Sequence, residues 1–308
     1  MGENPSLPIG NLNMADPTPA NDTGPELALE TGETAVKERG AKRRRLRRIL
    51  LKLCLALTLL APVLFMVAAL GAKIGLWGWE FGLGTLTAKL GPLVLILGCV
   101  VALLSLLAAI LVKPRKGIVI AVIGLLVPLL AFAKLGQTQS TVATLPFIHD
   151  VTTDTQDPPI FGKVVLAERA ATKGVNTADY KGKMAPVTNR DGTKTKTLVA
   201  ALQTKAYPQI RPIIINETQE VAFGEALATA KSMGWKIKEE DLAAGRIDAT
   251  DTTFWYGFKD DITIRLRKSE GGGTLVDVRS LSRVGGSDLG KNAKRIEAFL
   301  TVMSYEGP

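Results

Sequence analysis

A stretch near the C-terminus, DVRSLSRVGGSDLGKNAKRIEAFL at 277–300, combines residue types that can do chemistry: three arginines, two aspartates and three serines around a glycine pair. Guanidinium groups bind phosphates and carboxylates through paired hydrogen bonds, and the free amides at the start of a helix also bind anions. A serine beside a base can act as a nucleophile. The stretch therefore has the side chains for anion binding, for hydrolysis, or for holding a fold together through buried ion pairs.

These residues and one upstream aspartate define a candidate site with three interpretations, ranked in the order given. As a structural plug, buried Asp260 is neutralised by Arg295 and fixes how a helix docks on a sheet. As a ligand site, Arg283 and Arg295 bind a phosphate or a carboxylate with the amides of the last helix. As an enzyme, Asp260 is a general base and Ser282 a nucleophile, but no histidine or lysine base is evident beside the serine. The candidate residues are Asp260, Arg279, Ser280, Ser282, Arg283, Ser287, Asp288, Asn292 and Arg295.

The convergence of these side chains depends on the register of a predicted hairpin, DITIRLRK followed by TLVDVRSLS. Alternating apolar residues set the register and place Asp260 opposite Ser282, on the face that we expect helices to cover. Asn292 flanks the apolar stripe of the final helix and can reach the same place. Asp261 points the other way, into a row of charges that we expect to be solvated, and Arg283 is expected at the mouth of the core. The register also pairs Leu266 with Val276, Ile264 with Val278 and Ile262 with Ser280.

The region after residue 216 predicts an α+β fold in the order helix, antiparallel meander, helix, with both helices on the same face of the sheet. A first helix spans 217–233 and starts at a capping box of Asn216 and Gln219. The final helix begins near Asp288, and its neighbour Ser287 is also a good cap. Besides the hairpin, strands are predicted at 235–239, 246–249 and 252–258.

Three uncharged stretches, 53–72, 90–112 and 117–133, have the length needed to cross a hydrocarbon core as helices. Their interiors contain no ionisable residue, so they form an anchor rather than a transport path. Cys54 and Cys99 lie in these stretches and act as small apolar residues. The predicted organisation is a disordered cytoplasmic tail at 1–41, a basic segment with three transmembrane helices at 42–135, an extended turn-rich segment packing on the domain at 136–215, and an α+β core at 216–308.

Lysines and arginines flank the spans unevenly, with ten on one side and three on the other. The positive-inside rule therefore predicts a cytoplasmic N-terminus and a C-terminal domain in the periplasm of a bacterium with two membranes. The basic run KRRRLRR at 42–48 adjoins a span, so attraction to anionic lipid explains it and no nucleic acid is implied. The stretch GLWGWEFGLG at 75–84 is expected to be an external loop with an interfacial aromatic anchor.

No cofactor or metal ion is predicted. His149, Asp150, Asp154 and Asp157 lie near one another in sequence, but their spacing matches neither a calcium loop nor a zinc pattern. We expect a turn-rich loop in which short polar side chains bond to their own backbone. The sequence also contains no phosphate-binding loop and no dinucleotide fingerprint.

Four segments of the C-terminal region carry a family resemblance: HDVTTDTQDPPIF, AYPQIRP, FKDDITIRLR and LVDVRSLSRVGGSDLGKNAKRI. Together they resemble the bacterial family called domain of unknown function 1499, over 145–300. The resemblance implies an exported or membrane-tethered domain and brings no established activity. We therefore expect a membrane-anchored periplasmic module that binds or assembles at the cell envelope. Its expected partners are the lipid bilayer and either envelope proteins or a small anionic ligand.

Overall fold

The computed structural model describes residues 1–2, 24–189 and 191–304. Residues 3–23 of the tail predicted to be disordered lie outside this range. Residues 24–41, where disorder was expected, are helical in the structure, because helix α1 runs Gly24–Lys73 and enters the first span without a break. Residues 26–45 are rich in Leu, Ala, Glu, Lys and Arg, which favour helix, and lengthening an existing helix needs no new nucleus.

Three helices are long and apolar enough to cross a membrane, which confirms the three-helix anchor. The first is α1. The second begins as a π-helix at Glu80–Leu90 and continues as α2, Gly91–Leu111, and the third is α3, Ile118–Thr144. The predicted external loop at 75–84 is therefore helical in its second half, because that half is apolar apart from Glu80.

Trp77, in the short connection before the second span, folds back on α1 instead of standing free. Its indole Nε1 donates to the carbonyl of Ala68 at 3.2 Å. The ring lies so close to Gly71 that a Cβ added there would be 2.1 Å from it. This contact needs a glycine in α1 and ties the connection to the end of the first span.

The stretch 136–215 is more regular than the extended segment predicted. Helices α4 and α5 have only eight residues each, too few for a periodic sequence pattern to reveal them. The buried side chains of Val151, Val199 and Ile210 join the main core, so the stretch packs on the domain. Its elements are the end of α3, then β1 (Asp150–Thr152), α4 (Lys163–Ala170), β2 (Met184–Thr188), β3 (Lys194–Leu198), α5 (Val199–Ala206) and β4 (Ile213–Ile215).

The domain is built on one antiparallel sheet of six strands. The long strands are β5 (Lys236–Asp241), β6 (Arg246–Thr252), β7 (Lys259–Lys268) and β8 (Thr274–Ser282). The order is β1-β8-β7-β6-β5, with β4 paired to the start of β8, while β2 and β3 form a separate hairpin. Strand β8 therefore lies between neighbours on both sides, at the centre of the domain.

The hairpin of β7 and β8 has the predicted register, with Asp260 opposite Ser282 and Leu266 opposite Val276. Helices α6 (Gln219–Ser232) and α7 (Lys291–Met303) both contribute to the core that covers the apolar row of these strands. Trp235 stacks on Phe299 of α7, with ring centroids 5.4 Å apart. The α+β fold of helix, antiparallel meander and helix is confirmed, with both helices on one face.

The ends of the helices differ from those predicted. Thr218, not Asn216, caps α6, because its hydroxyl accepts the amide of Val221. Helix α7 starts at Lys291, after a turn, and the carboxylate of Asp288 accepts the amide of Asn292 at 2.9 Å. Thr218 fits the preference for a short polar side chain directly before the first helical residue.

The strand predicted at 252–258 is instead a turn that joins β6 to β7. Tyr256 and Gly257 have φ angles of 61° and 65°, in the left-handed region. Aromatic residues favour strands in a sequence pattern. Consecutive residues with positive φ reverse the chain instead, and they leave the aromatic side chains at the tip of the turn.

The second face of the sheet is also covered, which the sequence did not indicate. Helix α4 and the loop before it lie over this face, where Phe161 and Val165 pack against Leu281 of β8. Charged residues of the strands that were expected to be solvated therefore lie between two layers of protein. Asp261 is fully buried, so the prediction of a solvated row is wrong for it.

Candidate functional site

The first cluster of polar side chains lies between α7 and the sheet and has Arg295 at its centre. Its Nη2 donates to Asp260 Oδ2 and to Asp251 Oδ2, each at 2.6 Å, and its Nη1 donates to Ser280 Oγ at 3.0 Å. The side chains of Arg295 and Asp260 are 4% and 5% exposed. Position 295 reaches the strands because it flanks the buried stripe of α7, as the helical period predicts.

Asn292 connects the two serines of β8 within the same cluster. Its Oδ1 accepts the hydroxyl of Ser280 at 2.8 Å, and its Nδ2 donates to Ser282 Oγ at 3.1 Å. Among the described residues, no histidine or lysine side chain is hydrogen-bonded to Ser282. The structure thus brings Asp260, Ser280, Ser282, Asn292 and Arg295 together, and it gives the Ser282 hydroxyl a structural partner rather than a base.

Asp288 and Ser287 lie beside this cluster, in the turn before α7. The carboxylate of Asp288 accepts the amides of Gly290 and Asn292, both at 2.9 Å. Burial raises the pKa of Asp288 above its usual range, although these amides oppose the shift. Ser287 Oγ accepts the amide of Leu289 at 3.3 Å. Both side chains therefore stabilise the start of α7, which is the segment whose free amides would otherwise bind an anion.

Arg283 lies on the other face of the sheet, so its predicted place at the mouth of the core is wrong. Its Nη2 donates to Asp261 Oδ1 at 2.7 Å and to Glu168 Oε2 at 2.8 Å. Arg169 of α4 donates to Asp261 Oδ2 at 2.8 Å. Successive side chains of a strand point to opposite faces, so Arg283 is separated from the cluster that contains Ser282. The sequence did not show that α4 covers it.

Arg279 also lies on the second face and joins a different group. It donates to both oxygens of Asp150, at 3.0 and 2.9 Å. Its guanidinium lies over the rings of Phe161 and Tyr180, 5.1 and 5.6 Å from their centroids. Lys183 donates to the same carboxylate at 2.7 Å. Arg279 is 3% exposed and is bound on all sides by the protein.

The three candidate arginines are therefore all neutralised by carboxylates of the chain. Asp261 and Glu168 pair with Arg283, and Asp260 and Asp251 pair with Arg295. In such a pair the positive charge of the guanidinium is balanced by a carboxylate, and most of its N–H groups donate to residues of the same chain. Neither cluster offers a small anion a free arginine at its surface.

A cavity of about 470 Å³ lies next to the first cluster, where the domain meets the membrane anchor. Its volume is within the range usual for ligand pockets, which runs from about 300 to 1,000 Å³. Trp79, directly before the second span helix, and Leu83 within it form one wall. Phe147, shortly before β1, and Phe258 of the domain form another. The remaining wall is the loop from Val284 to Leu289. Sequence reasoning missed these apolar residues, because the loop, the span and the domain come together only in three dimensions.

Polar groups of the first cluster reach the inner end of this cavity. Asp260 and Ser282 line it, although they are only 4% and 6% exposed. Arg295 donates a hydrogen bond to Oδ2 of Asp260. The other oxygen, Oδ1, accepts no hydrogen bond from the residues that the structure describes. Gly286 is needed at the edge, because a Cβ there would lie 2.6 Å from the Phe147 ring. The cavity thus has mostly apolar walls, and the polar residues Asp260 and Ser282 are part of its lining. Within 24–189 and 191–304, no group of three metal-ligating side chains is placed to hold a metal ion.

Comparison with known families agrees with the resemblance in the sequence. The sequence model of the family described as "Protein of unknown function (DUF1499)" matches residues 150–303, half of the 308-residue chain. The chain belongs to the DUF1499 family. The DUF1499 domain runs from β1 to the end of α7, so it contains both polar clusters and excludes the spans. The cavity therefore lies between the DUF1499 domain and the anchor. No curated protein matches this chain.

Proposed function

We propose that this protein is a membrane-anchored binding module of the cell envelope, and that its ligand is an amphiphile carrying an acyl chain. The observation that carries the proposal is the cavity at the junction, whose walls come partly from the second span and partly from the DUF1499 domain. A molecule that leaves the bilayer along the second span helix can reach this cavity, because Leu83 lies in the outer part of that helix and lines the cavity.

The residues that line the cavity indicate which chemical groups the two ends of such a ligand carry. Aromatic and aliphatic side chains make up most of its walls, which favours an apolar chain. Asp260 and Ser282 line the cavity and can accept hydrogen bonds, so the polar end of the ligand is one that donates them, such as a hydroxyl or an ammonium group. A few polar groups in an apolar cavity fix the orientation of a ligand.

Two other functions fit the geometry less well. A small phosphate or carboxylate ligand needs several free cationic donors, but Arg283 and Arg295 are paired with carboxylates and buried, which leaves Lys291 in the lining of the cavity. A hydrolase that uses Asp260 and Ser282 needs a base on the serine, but the serine hydroxyl accepts a hydrogen bond from Asn292. Both clusters are better explained as buried pairs that fix helices on the sheet.

The proposed location is the inner membrane of a bacterium, with the N-terminus in the cytoplasm and the domain in the periplasm. The support is the excess of lysine and arginine on one side of the spans, ten against three. Alkaline phosphatase fused to the C-terminus should be active in a bacterium with two membranes. An inactive fusion, combined with activity of a cytoplasmic reporter at the same position, would reverse the orientation.

The ligand proposal is tested by photocrosslinking of the full chain in phospholipid vesicles. One set of vesicles contains a phosphatidylethanolamine with a diazirine in its acyl chain, and a second set contains a long-chain fatty alcohol with the same group, so that the polar ends are an ammonium and a hydroxyl. We expect labelled peptides from 282–291 in addition to those from the spans. The two sets show which of these two polar ends the cavity accepts.

Two variants make this test specific. Val284→Trp fills the cavity and should lower the labelling of 282–291 by roughly tenfold, which corresponds to a loss of about 1.4 kcal/mol in binding free energy. Val302→Trp makes the same change on the exposed side of α7, where Val302 is 53% exposed, and should leave the labelling unchanged. Labelling confined to the spans, or equal in wild type and Val284→Trp, would refute the proposal.

A further inference from the structure

The turn between β6 and β7 presents two large aromatic side chains that no other part of the described chain buries. Phe254 is 65% exposed and Trp255 is 51% exposed. Their rings pack edge to face on each other, with centroids 4.8 Å apart. The two adjacent rings form one exposed apolar patch, and contiguous patches of this kind occur at protein and membrane interaction sites.

Three contacts join this turn to the ends of the first two spans. The Tyr256 hydroxyl is hydrogen-bonded to the Thr87 hydroxyl at 2.5 Å. Lys73, the last residue of α1, places its ammonium 4.6 Å from the centroid of the Phe254 ring. Close packing supports this contact, since a Cβ on Gly257 would lie 3.2 Å from the Lys73 side chain. The turn is therefore held against the anchor rather than projecting away from it.

These contacts also set the depth of the turn relative to the bilayer. Thr87 lies inside the second span helix, whose first residue is Glu80, so Tyr256 extends down beside that helix. Lys73 and Lys89 are the charged residues that border the uncharged stretches 53–72 and 90–112, so we expect them near the boundary of the hydrocarbon core. The Phe254 ring contacts Lys73 and the Trp255 ring packs on Phe254, so both rings lie close to the Lys73 end of this boundary.

We propose that the 253–258 turn inserts Phe254 and Trp255 into the headgroup layer of the membrane that the anchor crosses. Tryptophan is favoured in this layer, because its ring is apolar and its N–H can bond to water or headgroups, and the Phe254 ring adds apolar surface beside it. Insertion fixes the DUF1499 domain against the bilayer through a point separate from the spans. The inference depends on the turn alone and does not require a ligand in the cavity.

Quenching of tryptophan fluorescence in the full chain tests this inference. The protein is reconstituted in phosphatidylcholine vesicles, with or without lipids brominated near the headgroup end of the acyl chain. The difference between wild type and Trp255→Tyr isolates the emission of Trp255. We expect brominated lipid to remove most of this emission, and aqueous iodide to have little effect on it.

Trp235 is the matched control, because it is 5% exposed and stacked in the core of the domain. The difference between wild type and Trp235→Phe isolates its emission, which neither quencher should reduce. Should Trp255→Tyr fail to fold, Phe254→Trp adds an indole at the neighbouring position and should respond as Trp255 does. Strong quenching by iodide would place the turn in water. Protection from both quenchers would mean that protein, not lipid, covers it, and either result overturns the inference.

Discussion

Replacing Arg283 by alanine should destabilise the domain, because it removes a guanidinium from a buried ion cluster. The side chain is 5% exposed, and its partner Asp261 is 0% exposed. Three bonds between Arg283 and Asp261 are lost, at 2.7, 2.9 and 3.1 Å, together with one to Glu168 at 2.8 Å. The carboxylate of Asp261 stays in a position that water does not reach.

The magnitude follows from the partners that remain. Breaking a buried ion pair by removing one member costs about 3–5 kcal/mol, since the other charge is left without compensation. Asp261 keeps Arg169 Nη1 and Thr250 Oγ1, each at 2.8 Å, so we expect a loss near the lower end, about 3 kcal/mol. Glu168 is 35% exposed and keeps Lys238, so its contribution is small.

The assay is chemical unfolding of the full chain in detergent micelles, followed by tryptophan fluorescence. The free energy of unfolding is obtained from the midpoint and slope of the transition. Arg267→Ala is the matched control on the same sheet: its side chain is 40% exposed, and Asp277 retains Arg265, so we expect a loss below about 1 kcal/mol. If Arg283→Ala costs no more than Arg267→Ala, the second face is solvated and the buried cluster is refuted.

Two further predictions concern the same clusters. Arg295→Ala should lower the free energy of unfolding by about 3–5 kcal/mol, because Asp260 is left buried without its partner. Asp260→Asn combined with Arg295→Met should recover much of that loss, since no buried charge remains unpaired. A double variant as unstable as Arg295→Ala would contradict this. Hydrogen bonds from Lys238 and then Arg283 lower the pKa of Glu168 from 4.5 to about 2. This stabilisation is fully present above pH 4.5 and lost as the pH falls toward 2. Glu168→Gln should therefore weaken the fall in stability over that range, and an unchanged pH profile would show that Glu168 does not contribute.

The location of the domain on the membrane connects the proposals. The cavity and the aromatic turn lie at the same end of the domain, and Phe258 belongs to both, since it lines the cavity and follows the turn. Trp79, directly before the second span helix, contacts Phe258, with ring centroids 5.8 Å apart. An anchor of three helices and an inserted turn would together keep the cavity at the bilayer, where an amphiphile can enter without crossing water.

The sequence by itself determined the features that depend on local periodicity. Uncharged stretches of sufficient length identified three spans, because a helix in lipid must present apolar side chains all round. Alternation in the β7 and β8 segments identified the register that places Asp260 opposite Ser282. The period of α7 placed Asn292 and Arg295 toward the same strands. These properties belong to a single element or to two neighbouring elements, so a short stretch of sequence contains them.

Only the tertiary structure decided which faces are covered and which residues from distant segments meet. Alternation shows that Asp261 and Arg283 point away from the helices, but it cannot show that α4 forms a second layer over them. The eight residues of α4 are too few for a distinct pattern. Trp79 and Phe258 are far apart in the chain, and the cavity between them exists only because the domain packs against the spans. Burial depends on how the layers of the protein pack together. The sequence therefore shows that Asp261 carries a charge, but it does not show that this charge is buried.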